Sequence, residues 1–154
     1  LAGSCWKLSP RDMAGSADRN GIHLLQLPLN PSAPLEATGN VPLAGATLAA
    51  AASLPAGTVV PQSTADNLGD RGLLDHLLGS EPSMVGFTLY MWNAERSVWL
   101  ARALKNARPD TVMAAGGPEV SSDNDWLLEE ETFDLLVEGE GEEVAMINGI
   151  NIPK

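Results

Sequence analysis

Short apolar runs alternate along the chain with longer segments in which apolar residues recur at helical spacing. Each run has the length and composition of a strand that is buried on both faces of a sheet. The predicted strands are 22–27 (IHLLQL), 57–62 (GTVVPQ), 84–89 (MVGFTL), 112–115 (VMAA) and 133–139 (FDLLVEG).

The segments between these strands carry helix start and stop signals. Pro42 is tolerated in a first helical turn, Gly79 follows a stripe of leucines, and Asn93 can cap a helix that ends before a proline. These signals divide the chain into alternating strands and helices. The predicted helices are 43–54, 66–79, 93–108, 122–131 and a fifth from 142 onward.

Helical segments between consecutive buried strands are typical of a parallel sheet, because parallel neighbours need a crossover connection of about a dozen residues. The sequence therefore predicts a doubly wound α/β fold of the Rossmann-like, flavodoxin type. We expect five parallel strands with helices on both faces of the sheet.

In such sheets, ligands bind outside the carboxyl ends of the strands. Unusual residues follow four predicted strands: a proline-rich loop over 28–40, YMWN at 90–93, GGPEVSS at 116–122 and EGEGEE at 138–143. Gly116 and Gly117 permit positive φ and close approach of a ligand, although glycine is also an ordinary turn residue. Tyr90 and Trp92 favour a flat ring-shaped partner, or else cap the core.

The charge balance excludes several partners. With 20 acidic and 9 basic residues the chain has a formal charge of −11, which repels nucleic acid and anionic lipid. The uncharged stretch 41–60 contains prolines and glycines and is mostly alanine, so we expect no membrane span. Cys5 is the single cysteine, which excludes a disulfide framework within the chain and favours a cytoplasmic location.

No reaction centre can be placed from the sequence. EGEGEE lacks the third glycine of a dinucleotide fingerprint, and its glutamates would repel a pyrophosphate. His23 lies inside a predicted strand and His76 inside a predicted helix, and a structural role is expected for both. We predict a binding protein with no catalytic residue and no metal ligand of its own.

The segment VGFTLYMWNAERSVWLARALKNARPDTVMAAGGPEVSSD, followed by FDLLVEGEGEE, resembles a known family. It is similar to the N-terminal cobalamin-binding domain of B12-dependent radical S-adenosylmethionine (radical SAM) enzymes, including those like the anaerobic magnesium-protoporphyrin ester cyclase. The resemblance covers about 22–144 and implies that Thr88, Gly116 and Gly117 receive the nucleotide tail of cobalamin. The cofactor-binding residues it implies are Thr88, Leu89, Tyr90, Trp92, Asn93, Gly116, Gly117, Pro118, Glu119, Gly139, Glu140 and Gly141.

Two departures from related families refine this expectation. The loop after the first strand has no Asp-x-His-x-x-Gly motif, so the resemblance implies cobalamin bound base-off, with no protein histidine on cobalt. The chain also has no Cys-x3-Cys-x2-Cys motif for a four-iron cluster. S-adenosylmethionine and the 4Fe-4S cluster are therefore expected in a radical SAM domain further along the full-length protein, and this chain should bind cofactor without turnover.

The domain boundaries follow from the same comparison. Residues 1–20 are expected to form an irregular leader, 21–145 the cobalamin-binding domain, and 146–154 a truncated or atypical tail. Two alternatives share the fold, since a fold does not fix a function. One is a flavin- or nucleotide-binding module of flavodoxin type. The other, a phospho-receiver or interaction domain, is disfavoured because the first strand ends in Gln26, Leu27 and Pro28 and offers no acidic residues.

Overall fold

The computed structural model describes residues 21–28, 42–54, 58–60 and 62–139, with the backbone alone for 62–67. The expected leader, most of the loop over 28–40, the predicted fifth helix and the tail lie outside these residues. The described elements are β1 (Ile22–Leu25), α1 (Leu43–Ala51), α2 (Gln62–Ser80), β2 (Met84–Thr88), α3 (Ala94–Ala107), β3 (Val112–Gly116), α4 (Asp125–Leu128) and β4 (Leu135–Val137).

The sheet has four parallel strands in the order β1-β2-β3-β4, which confirms the α/β class and the parallel arrangement. The strand predicted at 57–62 is reduced among the described residues to one parallel bridge between Val59 and Leu24. Leu24 N donates to Thr58 O at 2.7 Å, and Val60 N donates to Leu24 O at 2.9 Å. The bridge lies beside β1, so that if 58–60 is counted as a strand the order is that of flavodoxin-type sheets, 2-1-3-4-5 in chain order.

The two faces of the sheet differ in how they are packed. Leu25, Val85 and Phe87 lie on one face, in a core cluster that also contains residues of α2 and α3. On the opposite face, Leu24 of β1, Gly86 of β2 and Ala114 of β3 are paired in register, and the last two are small residues. α1 packs on this second face, because a Cβ at its Gly45 would stand 3.3 Å from Leu24 Cβ. Helices therefore pack on both faces.

Two helices differ from their predicted limits. α2 begins before Asp66 and is interrupted at Gly69, whose φ of 61° and ψ of 179° are not helical. α4 is a single turn instead of the ten-residue helix predicted over 122–131. The acidic residues that follow it are drawn into other contacts: the Glu130 carboxylate accepts from Arg102 and from Thr132. Competition from such side-chain contacts ends the helix early.

The amino ends of β3 and β4 are fixed by one carboxylate. Asp134 Oδ2 accepts from Met113 N and from Lys105 Nζ, both at 2.7 Å, while Asp134 N donates to Met113 O at 2.8 Å. Lys105 also donates to Thr111 O at 2.8 Å. This network holds β4 in register with β3 and against α3. Within the described ranges, no helix is long and apolar enough to cross a bilayer.

Candidate functional site

Three residues form a row across the carboxyl ends of β2, β3 and β4. In the register of the sheet, Thr88 pairs with Gly116 and Gly116 pairs with Val137. Because paired residues of neighbouring strands point to the same side, all three lie on the face that α1 covers. We call the space beside Thr88 and Gly116 on this face the recess.

The recess offers room and a hydrogen-bonding group. A Cβ on Gly116 would make only ordinary contacts, 3.5 Å from Val137 O and 3.8 Å from Val137 Cβ, so the absent side chain leaves space that none of the described residues fills. Thr88 is 9% exposed, and no hydrogen bond of its hydroxyl is found among the described residues. The hydroxyl is not one of the fully enclosed side-chain atoms that lack a partner, so solvent or a ligand can reach it. The recess is therefore suited to a ligand that has its own polar atoms.

Gly117 is a glycine for a reason inside the protein. Its φ is +106°, and a Cβ there would lie 2.6 Å from Leu89 O and 2.9 Å from Leu89 N. Leu89 N donates to Gly116 O at 2.7 Å, and Glu119 N donates back to Leu89 O at 3.3 Å. The bare backbone at 117 thus lets the β3 exit pack onto the β2 exit. Of the two glycines, the one with unfilled space is Gly116.

Leu89 itself belongs to the core. Its side chain is fully buried in the apolar cluster on the face opposite the recess, so it contributes to the site through its backbone. The next residues are more exposed. The Tyr90 and Trp92 rings stack with centroids 4.5 Å apart and planes 7° from parallel, and Met91 between them is 81% exposed. The loop after β2 therefore presents a rigid aromatic pair with a flexible apolar tip at the rim of the sheet.

Asn93 occupies the helix N-cap position but does not cap α3 with its side chain. The carboxamide turns back toward the sheet instead. Its Oδ1 accepts from Tyr90 N at 2.8 Å, and its Nδ2 donates to Leu27 O at 3.0 Å and to Thr88 O at 3.2 Å. The residue is completely buried. Its amide therefore joins the exits of β1 and β2, and its polar atoms are engaged by the backbone.

Arg96, one turn further along α3, was not among the predicted site residues. Its Nη1 donates to Pro28 O at 2.7 Å, and its Nη2 is paired with the carboxylate of Asp70 in α2. With Asn93, it captures two successive carbonyls where the chain leaves β1. The spacing Asn-x-x-Arg, which places two donors on one side of a helix start, is the sequence signal that could have indicated this role.

The remaining predicted residues lie at the β3 and β4 exits. Pro118 is exposed, and the half-buried Glu119 accepts from Asn124 through both its main-chain oxygen and its carboxylate. Gly139 is exposed with φ of +87°. Glu138 Oε1 accepts from Ser122 N at 3.2 Å, which connects the two exits. Glu140 and Gly141 lie outside the described residues.

Neither histidine of the chain lies at the carboxyl ends of the strands, where the recess is. His23 is the second residue of β1, and burial, followed by the charge of His76, lowers its pKa, so it is neutral near pH 7. Neither ring nitrogen of His23 has a hydrogen-bond partner. His76 is exposed in the second half of α2. The structure therefore places no histidine beside the recess.

Comparison with known proteins agrees with this geometry. The family model described as B12 binding domain matches residues 42–147, more than half of the chain. The chain is 34% identical to 2-(S-pantetheinyl)-carbapenam-3-carboxylate methyltransferase of Streptantibioticus cattleyicolor over 64 residues, which are 41% of the chain. Over 63 residues, or 40%, it is 33% identical to the cobalamin-dependent radical SAM methyltransferase TokK of Streptomyces tokunonensis.

The matched segment spans only 9% of the length of each of these relatives. It is the family model, which extends from before α1 to beyond β4, that decides the assignment. The resemblance noted in the sequence is confirmed, and the chain belongs to the B12-binding domain family.

Proposed function

We propose that this chain is the cobalamin-binding module of a larger cobalamin-dependent radical SAM enzyme, which uses the cofactor for methyl transfer or another cobalt-assisted radical step. The observation that carries the proposal is the recess. Thr88, a largely buried residue with a hydroxyl group, stands in register with Gly116, where a β-carbon would make only ordinary contacts with the described residues. Both lie where ligands bind in this sheet architecture.

The recess fits the nucleotide tail of cobalamin better than the corrin ring. A tail that enters along the sheet face would pass the small residues Ala114 and Gly116, whereas the space above Gly86 is filled by Leu24, whose Cδ2 lies 2.9 Å from the place of a β-carbon there. The Thr88 hydroxyl can donate to or accept from the polar atoms of that tail. The aromatic loop over 90–92 and the turn over 117–119 stand on either side, where they would contact the corrin.

The tail is held away from cobalt in this proposal, because a base that occupies the recess cannot also ligate the metal. Neither histidine can take the place of this base on cobalt, since His23 is the second residue of β1 and His76 lies in the second half of α2. The proposed state is therefore base-off, without a protein imidazole on the metal. Cobalamin held there would supply the carrier of the methyl group.

The acidic composition of the chain favours a ligand that presents uncharged groups to it. The amide groups around a corrin are uncharged and can be recognised by hydrogen bonds without a basic patch. S-adenosylmethionine and the 4Fe-4S cluster would be held by a radical SAM domain of the full-length enzyme.

The direct test is retention of cofactor by the purified 154-residue chain. Hydroxocobalamin is added in excess, free ligand is removed by desalting, and the visible spectrum of the protein fraction is recorded. We expect about one corrin per chain, with the spectrum of the base-off form. A parallel sample receives flavin mononucleotide at the same concentration, and we expect that fraction to be colourless.

The outcomes separate the alternatives. A colourless cobalamin sample together with a yellow flavin sample would identify a flavodoxin-type module and reject the proposal. Retained corrin in the base-on form would leave the binding function in place and refute the base-off state. If the protein retains neither ligand although circular dichroism shows it folded, cobalamin binding by this chain is refuted.

A further inference from the structure

The Asn93 side chain joins the exits of β1 and β2. The two strands pair through Leu25 and Phe87, and beyond this point the backbone hydrogen-bond ladder between them stops. The Asn93 carboxamide then spans the gap, since Nδ2 reaches both Leu27 O and Thr88 O. In a sheet with this strand order, the gap is the point where the connections change direction and ligands commonly enter.

We infer that Asn93 is a positioning residue for the recess, and that cobalamin affinity depends on its amide. This inference rests on the proposed function. Asn93 does not reach the ligand itself, because all of its polar atoms are occupied by backbone groups. It acts through Thr88, whose carbonyl it holds, and through Tyr90, whose N–H it accepts.

The geometry explains why the Asn93 amide matters. The Asn93 amide donates to Thr88 O, and the side chain of Thr88 lies on the recess face of the sheet. The amide therefore fixes the peptide plane that positions the Thr88 hydroxyl. The bond from Tyr90 N to Oδ1 fixes the start of the aromatic loop. One buried amide thus sets the relative position of the recess and the loop beside it. An aliphatic core residue at this position would pack but could not hold either group.

The Asn93→Asp substitution tests this, because it keeps shape and acceptor but removes both donors. At about pH 8 the introduced carboxylate faces the Leu27 and Thr88 carbonyl oxygens and repels them. At about pH 5.5 a carboxyl whose pKa is raised by burial and by those oxygens binds a proton and can again donate to one of them. Protonation therefore restores part of the lost contact.

The groups around this position allow that protonation to be interpreted. β1 and β2 contribute main-chain carbonyls, and the loop contributes the Tyr90 N–H. The charged side chains at this end of the helices are Glu95 and Arg96 on α3 and Asp70 on α2. Arg96 would lower the pKa of the introduced carboxyl, but its guanidinium is already paired with Asp70 and bound to Pro28 O. Burial and the two carbonyls therefore dominate.

The experiment titrates hydroxocobalamin into wild type, Asn93→Asp and Asn106→Asp at both pH values and follows tryptophan fluorescence. Asn106 lies exposed on the same helix, so its variant makes the same chemical change away from the sheet. We expect Asn93→Asp to weaken binding about tenfold or more at about pH 8 and to approach wild type at about pH 5.5. Asn106→Asp should follow wild type throughout.

Folding is measured in parallel by circular dichroism, and affinities are compared only well below each melting temperature. If Asn93→Asp does not fold at about pH 8, Asn93→Ala replaces it and should bind about tenfold more weakly than wild type. Wild-type affinity in a folded Asn93 variant, or a loss for Asn93→Asp that does not diminish at low pH, would overturn the inference. Failure of wild type to bind cobalamin would instead refute the proposed function.

Discussion

Gly117 lies against the backbone of Leu89, at a distance that leaves no room for a β-carbon. We predict that Gly117→Ala lowers the free energy of unfolding by roughly 2–5 kcal/mol, because the new methyl group meets Leu89 O and N and the positive φ is strained for alanine. Urea denaturation measures the change. A loss of less than about 0.5 kcal/mol would mean that the two exits are not packed as described.

Gly116→Ala should have the opposite profile. Its Cβ would make ordinary contacts with Val137, so stability should change by less than about 1 kcal/mol, while the methyl group occupies the recess. We expect hydroxocobalamin to bind about tenfold more weakly or worse. Gly79→Ala is the matched control, since nothing lies within 4 Å of a Cβ there. Unchanged affinity in Gly116→Ala would remove the recess as the tail site.

The Thr88 hydroxyl can be tested without a change of shape. Thr88→Val should leave the unfolding free energy nearly unchanged, because the hydroxyl has no partner among the described residues, and should weaken cobalamin binding roughly three- to tenfold. Thr111→Val is the control at the other end of the sheet, where a buried hydroxyl donates to Pro82 O at 3.1 Å. It should cost about 1–2 kcal/mol of stability and spare affinity. The reverse pattern would contradict the assignment.

The ion pair between Arg102 and Glu130 should give stability a pH dependence. Hydrogen bonds from Arg102, and then from Thr132, hold the pKa of Glu130 below its usual value despite burial. A depressed folded-state pKa contributes stability above the unfolded pKa, about 4.3, and this contribution is lost as pH falls through the folded value.

We therefore expect Glu130→Gln to be about 1–2 kcal/mol less stable than wild type near pH 7, a modest value because Arg102 is largely exposed. The difference should diminish as pH falls below about 4.3 and Glu130 takes up a proton. Denaturation curves across this range measure it. A difference that stays constant down to low pH would show that packing, and not charge, is responsible.

The strands that the sequence located best are those with uninterrupted apolar runs. The strand predicted at 84–89 is β2, and the one at 112–115 is β3 with one residue more. The third helix ends at Ala107, before Pro109, as predicted. These elements depend on local pattern and on burial, which a sequence expresses directly.

Other features depend on partners that are distant in sequence. Asn93 was predicted to cap α3, but its amide binds Leu27 O, 66 residues earlier in the chain. The close packing of Gly117 against the backbone of Leu89 could not be read from the sequence, and its contact with a ligand stays a prediction. The kink at Gly69 follows from backbone angles that glycine permits but does not require. In each case local propensity allowed two conformations, and tertiary contacts chose between them.

The alternation of side chains at the end of β2 connects correct folding with cofactor retention. Thr88 faces the recess, and its neighbour Leu89 is buried on the other side of the sheet. If β2 were displaced by a single residue, leucine would enter the recess and the hydroxyl would enter the core. The amount of corrin retained per protein molecule would then measure the correctly folded fraction of a purified sample, since molecules with a displaced β2 would not retain the cofactor.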